Sequence, residues 1–206
     1  METYKEWEDY FIDGTDVLKN KLGITEKEEL KEKEAEITLR KLVELYEKEV
    51  EGNFDKEHFC NIHKYLFGDI YDFAGCYRTV YMAKGNSYFS GVDDIDWKLD
   101  YVLKEMNQNI NNINSKYEYA VFLAGYYVDL IAIHPFREGN GRTTREFLRE
   151  FVNAKNQKFE LDFSKVDNEK MLSGIRNSFF SKSELEMEFY KALVDKEQVM
   201  EIGKQV

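Results

Sequence analysis

The stretch HPFREGNGRTTR, from His134 to Arg145, decides how the rest of the chain is read. It holds the chain's single proline, Pro135, which restricts Ile133 and His134 toward extended geometry, while Gly139 and Gly141 let the backbone bend sharply. The run that follows, RTTREFLREFVN from Arg142 to Asn153, spaces Phe147, Leu148 and Val152 for one buried helical face. Gly139, Asn140 and Gly141 therefore stand at a helix N-terminus. Amide groups there have no intrahelical acceptor and the helix dipole adds partial positive charge, so the turn can cradle an anion.

The side chains around the turn sharpen that expectation. Arg142 and Arg145, three apart, project on one side of the first helical turn, where each planar fork can grip phosphate oxygens. Glu138 has the opposite sign, and a carboxylate beside a phosphate is costly unless a cation separates them; Mg²⁺, hard and oxygen-preferring, is the usual one. His134 is the one group of the turn whose ordinary pKa suits a general base near neutral pH. Singly, each residue has a plainer explanation, since Gly-Asn-Gly is often a mere connection and arginines in a first turn commonly pair with acids. Their joint occurrence in this order points to a site for a phosphate-bearing ligand.

The segment resembles the signature of the Fic family, His-x-Phe-x-Asp/Glu-Gly-Asn-Gly-Arg-x-x-Arg, and agrees with it at every specified position. The resemblance implies an all-α fold, a Fic-type helical bundle with a short β-hairpin flap near the active site. It also implies a protein adenylyltransferase that moves AMP from ATP to a Tyr, Thr or Ser hydroxyl of a target protein, with itself as an additional acceptor. Carried over residue by residue, it makes His134 the base, Phe136 the anchor of the loop and Glu138 the Mg²⁺ ligand. Gly139, Asn140, Gly141 and Arg142 would bind the phosphates, and Arg145 would hold the γ-phosphate end. Such in-line transfer relies on positioning and charge neutralisation.

Upstream, YRTVYMAKGNSYF from Tyr77 to Phe89 reads as a hairpin. Thr79, Val80 and Tyr81 favour extended structure, Lys84, Gly85 and Asn86 supply turn chemistry, and Ser87 to Phe89 return. It resembles the family's target-docking flap, with Thr79, Val80, Tyr81, Lys84 and Gly85 as the docking residues. A strand edge suits recognition by strand addition. The stretches at 13–25, DGTDVLKNKLGIT, and 54–80 also resemble Fic sequences, so the likeness covers roughly residues 10 to 195.

The chain has 206 residues with 29 basic and 40 acidic side chains, a net charge of −11. One or at most two domains are expected, and binding to nucleic acid or an anionic membrane is disfavoured. No apolar run reaches spanning length and METYKEWEDY is too acidic for a signal peptide, so a cytoplasmic location is expected, with export by a dedicated secretion machine as the alternative. Cys60 and Cys76 are too few for a disulfide framework. His58 and His63 flank Cys60, but five residues on a helix put them roughly 140° apart, so they read as polar neighbours of a core stripe, Phe59, Ile62, Tyr65 and Leu66.

Helices are expected near 25–50, 56–68, 93–112, 116–133, 141–155, 167–179 and 182–200, with capping boxes at Thr25 and Glu28, Ser115 and Glu118, and Ser181 and Glu184. The parts are a helical lead-in at 1–54, a core domain at 55–195 and a tail at 196–206. The family's inhibitory pattern, Ser/Thr-x-x-x-Glu-Gly/Asn, whose glutamate would pair with Arg145, has one partial fit, Thr25 to Glu29. A small antitoxin supplying that helix is therefore favoured over a divergent internal helix near the N-terminus and over the absence of such control; the oligomeric state is left open. Two other function classes stand beside AMP transfer. A Doc-like kinase is weakened by the retained Gly139 and Gly141, whereas the loop residues leave a transferase using another nucleotide-derived donor open. An inactive nucleotide-binding module is weakened by the full set of His134, Glu138, Asn140 and both arginines.

Overall fold

A computed structural model describes residues 4–84, 87–113, 115–156 and 158–196. Its described residues form seven α-helices: α1 (Lys27–Glu47), α2 (Lys56–Phe67), α3 (Ile95–Asn109), α4 (Lys116–Ile133), α5 (Asn140–Lys155), α6 (Asn168–Asn177) and α7 (Ser183–Ala192). Four short strands, β1 (Ala83–Lys84), β2 (Ser87–Tyr88), β3 (Phe159–Leu161) and β4 (Leu193–Asp195), make two antiparallel pairs, β1–β2 and β3–β4. The all-α expectation with one short hairpin holds, and the second pair is an addition to it.

Two compact units can be distinguished. The first comprises Met1–Tyr101 and Ala132–Thr143. Its core gathers around α2, where Phe59, Ile62, Leu66 and Phe67 are fully buried, and continues through Tyr10, Tyr71 and Phe73. Asp55 caps α2 by accepting from the His58 amide at 2.9 Å, the usual work of an N-cap aspartate. The second unit comprises Val102–Ile131 and Thr144–Val206. Leu123 and Tyr127 of α4 lie in its core, as do Phe147 and Phe151 of α5, and Tyr127 meets Phe189 of α7 edge to face at 5.4 Å.

Helix ends differ from the sequence expectation in instructive ways. The capping box at Ser115 forms: its amide donates to Glu118 at 2.8 Å and its hydroxyl accepts from the Glu118 amide at 3.2 Å. The box at Thr25 does not form. α1 starts at Lys27 behind an uncapped Glu26, because Asn20 closes the preceding loop instead, bonding the carbonyls of Leu18 and Ile24 and the Ile24 amide. At the other end, Ser181 accepts from the Ser183 amide rather than from that of Glu184, and α7 stops at Ala192 instead of near 200. Leu193–Asp195 then pairs with Phe159–Leu161, so local helical pattern yields to a ladder that buries Phe159, Leu161 and Leu193. Residues 197–206 lie outside the described residues.

Candidate active site

Helix α4 ends at Ile133 and the chain turns at His134 with φ 51°. Pro135 bars the right-handed region to the residue before it, but His134 takes the left-handed helix-ending conformation rather than the extended one, and Ile133 stays helical. That conformation costs a non-glycine residue roughly 1–2 kcal/mol, so it must be held. Arg78 holds it: its Nε donates to the His134 carbonyl at 2.8 Å and its backbone amide to that of Pro135 at 2.8 Å. The half-buried imidazole stacks on Phe89, with centroids 3.7 Å apart and an 11° interplanar angle.

The next residues are fixed from inside. Phe136 is fully buried, stacked on His63 at 3.8 Å and near Phe59 at 5.7 Å. Asn140 closes the turn on itself, because its side chain accepts from the Phe136 amide at 2.9 Å and donates to the Phe136 carbonyl at 2.8 Å. Its amide group is thus committed to shape, and what it can offer an anion is its backbone N–H. Gly139 has φ 80° and lies against Phe67, where a Cβ would meet the ring at 2.3 Å. Here glycine answers both backbone conformation and close approach. Gly141 has open space around it.

His63 links this turn to the segment leading into the hairpin. Its Nδ1 accepts from the Gly75 amide at 2.8 Å and its Nε2 faces the Glu138 carbonyl at 2.9 Å. An amide must donate and a carbonyl must accept, so the ring is neutral with its proton on Nε2. Burial dominates its titration and lowers its pKa to about 3.

Around the first turn of α5 the charged groups meet. Glu138 Oε1 accepts from the Gly139 amide at 2.9 Å and lies 3.5 Å from Arg142. Arg142 reaches α1 as well, donating to Glu34 at 2.5 Å and to the Thr38 hydroxyl at 3.2 Å. The Tyr71 hydroxyl donates to the same Glu34 carboxylate, and burial together with that negative charge pushes the phenol well above its ordinary pKa. Arg137 is buried over Trp7, 4.0 Å from the ring centroid, with Phe11 and Tyr10 nearby. A chamber of about 700 Å³ opens here, with Glu34, Tyr71, Arg137, Glu138 and Arg142 in its wall. Arg145 lies one turn further along α5, in the second unit, and donates to Asn168 at 3.2 Å.

The upstream hairpin forms, with Ala83 opposite Tyr88 and Lys84 opposite Ser87. Its outgoing strand starts later than the sequence suggests. Thr79, Val80 and Tyr81 are irregular: Thr79 is tied to the Tyr10 hydroxyl at 3.2 Å, Val80 is buried and Tyr81 is 73% exposed. β propensity there is overridden by Arg78, which pulls the Val80 carbonyl inward at 2.7 Å. Gly85 lies outside the described residues.

Sequence reasoning passed over His63, Arg78 and Glu34. A signal did exist for Glu34: Leu30, Glu34, Thr38 and Leu45 are the buried positions of α1, so a glutamate and a threonine stand on its apolar stripe and need partners. Glu29, by contrast, is exposed. Among the described residues, the glutamate from outside the motif that meets one of its arginines is thus Glu34, and it meets Arg142.

The model of the Fic/DOC family matches residues 53–152. The protein adenylyltransferase VbhT of Bartonella schoenbuchensis is 33% identical over 90% of this chain, which spans 39% of that protein's length. A Sinorhizobium fredii relative that also carries the adenylyltransferase name is 30% identical over 81% of this chain and 85% of its own length. Among solved structures, the N-terminal Fic domain of a VirB-translocated effector of Bartonella quintana, with bound ADP, superposes with a TM-score of 0.86 at 25% identity, covering 96% of this chain and 99% of that one. BepC of Bartonella tribocorum, with bound AMPPNP, has the same fold, with a TM-score of 0.82 at 24% identity over 92% of this chain and 98% of its own. With its signature folded into a turn at the start of α5 and relatives along most of its length, the chain belongs to the Fic/DOC family.

Proposed function

We propose that the chain is a protein adenylyltransferase that transfers AMP from ATP to a hydroxyl side chain of a target protein. The observation that carries this reading is the gathering of His134, Glu138, the Gly139–Asn140–Gly141 backbone and Arg142 around the first turn of α5. The adenylyltransferase names of the relatives and the nucleotides bound by structural neighbours support it. In the reaction the target oxygen attacks the α-phosphorus, the bond to the β-phosphate oxygen breaks, pyrophosphate leaves, and His134 takes the hydroxyl proton.

The amides of Asn140 and Gly141 and the Arg142 fork bind the phosphates, with Gly139 shaping the turn. The family resemblance assigns the γ-phosphate end to Arg145. A carboxylate beside a phosphate site fits Mg²⁺, which keeps most of its waters and takes few protein ligands. Glu138 would hold it, and the ion would neutralise phosphate charge. Thr79, Val80, Tyr81, Lys84 and Gly85 present the target. A small antitoxin remains our assignment for a partner that pairs a glutamate with Arg145, in either the cytoplasm of synthesis or one reached by secretion, as the VirB-translocated neighbours suggest.

ATP labelled separately at the α- and γ-phosphates tests the reading. Label from the α-phosphate on protein supports it, γ-label points to a kinase, and no label in the presence of nucleotide binding points to a binding module. His134→Ala should keep nucleotide binding and lose transfer at least about 100-fold.

A further inference from the structure

Arg78 is 1% exposed, and among the described residues no carboxylate pairs with it. A buried guanidinium usually has an acidic partner. This one has carbonyls instead: Nε donates to His134 at 2.8 Å, Nη1 to Val80 at 2.7 Å, and Nη2 to Ser90 at 2.5 Å and Ile133 at 3.4 Å. Two of the four acceptors, Ile133 and His134, lie where α4 ends, so the orphan carbonyls and negative dipole end of that helix offset part of the charge. The other two, Val80 and Ser90, flank the β1–β2 hairpin on its two sides.

The same region is tied by backbone. The Arg78 amide donates to Pro135 at 2.8 Å and the Ser90 amide to Ala132 at 3.1 Å. Phe89, one residue before Ser90, supplies the ring on which His134 stacks. Arg78 is thus where the strained backbone of the base and both flanks of the hairpin converge. A lysine, with one rotating ammonium, cannot span these carbonyl directions as the rigid fork does.

We propose that Arg78 is a positioning residue for the transfer reaction. It couples His134 to the hairpin, so that the group that receives the proton and the edge that aligns the incoming hydroxyl move as one unit. This rests on the adenylyltransferase reading, but its physical content does not.

The test uses Arg78→Lys in the full chain, with three readouts. In NMR spectra of ring-labelled histidine, His134 should lose the ring-current shift imparted by Phe89, while His58 and His63, the chain's other two histidines, keep their positions. Binding of AMPPNP should change by no more than about 3-fold, about 0.7 kcal/mol. Transfer of α-labelled AMP to lysate proteins should fall about 100-fold, the scale of roughly 1 Å of misplacement. An unchanged His134 resonance overturns the proposal, as does equal loss of AMPPNP binding and transfer. Should wild-type chain transfer no AMP, the functional reading fails while the NMR comparison still decides the coupling. If Arg78→Lys does not fold, Arg78→Gln takes its place with the same readouts, and transfer within about 3-fold of wild type in that variant, where tenfold loss or more is expected, overturns the proposal.

Discussion

Gly139→Ala and Gly141→Ala separate the structural from the ligand-facing reason for a glycine in the motif. At Gly139 a side chain would occupy the left-handed region, φ 80°, at roughly 1–2 kcal/mol. Its Cβ would also sit 2.3 Å from Phe67 Cζ and 2.4 Å from Cε2. Phe67 is fully buried and stacked on His63 at 4.8 Å, so relieving the overlap disturbs packing at about 1–3 kcal/mol. Together these give a loss of roughly 2–5 kcal/mol, which for a chain this long lowers the melting temperature by roughly 4–20 °C. At Gly141 nothing lies within 4 Å of the new Cβ and the residue is helical, so alanine should stabilise by about 0.5–1 kcal/mol. Calorimetry measures both. Titration with AMPPNP then asks the second question: if phosphates approach the first turn of α5, Gly141→Ala weakens binding at least about tenfold, about 1.4 kcal/mol, in a protein that melts no lower than wild type. A Gly139→Ala protein melting within roughly 2 °C of wild type refutes the steric reasoning. Unchanged nucleotide affinity in Gly141→Ala refutes the assignment of the anion site.

Glu138→Ala should weaken Mg²⁺-dependent nucleotide binding, partly restored by excess Mg²⁺; equal activity in EDTA and Mg²⁺ would remove the metal role. Glu34→Gln should tighten AMPPNP binding about tenfold by taking away a carboxylate 2.5 Å from Arg142 that competes with phosphate, whereas Glu29→Gly, on an exposed position, should change little. Weaker binding in Glu34→Gln would make Glu34 a support of the arginine instead. An unfolded histidine binds its proton below about 6.5 and folded His63 only below about 3, so between those values the unfolded chain binds more protons and stability falls as pH falls. From pH 7 to pH 5 this amounts to about 2 kcal/mol, read from urea midpoints, and His63→Gln should lack that part of the slope; parallel profiles for the two proteins would contradict the buried neutral ring.

What could be read from sequence was whatever chemistry is local. The tight turn before α5, its helix and the capping box at Ser115 depend on residues within a few positions of one another, and periodicity placed α2, α4 and α5 within a residue or so of their ends. What could not be read is what holds the turn in shape. His63 reaches Glu138 across 75 positions, Arg78 reaches His134 across 56 and Glu34 reaches Arg142 across 108. In sequence these are a polar residue on an apolar helix, an arginine in a β-prone run and one glutamate among many. Each is conspicuous only once burial is known, because a buried polar group must find a partner. The signature therefore names the groups we propose to meet the ligand, and three distant polar residues set their geometry. Transplanted onto another helix start, the twelve residues would keep their charges and lose the left-handed His134 and the inward-facing Glu138 carbonyl. A graft of the motif alone should bind anions weakly and transfer nothing, while one that carries His63 and Arg78 with their helix and hairpin has the parts that hold the turn.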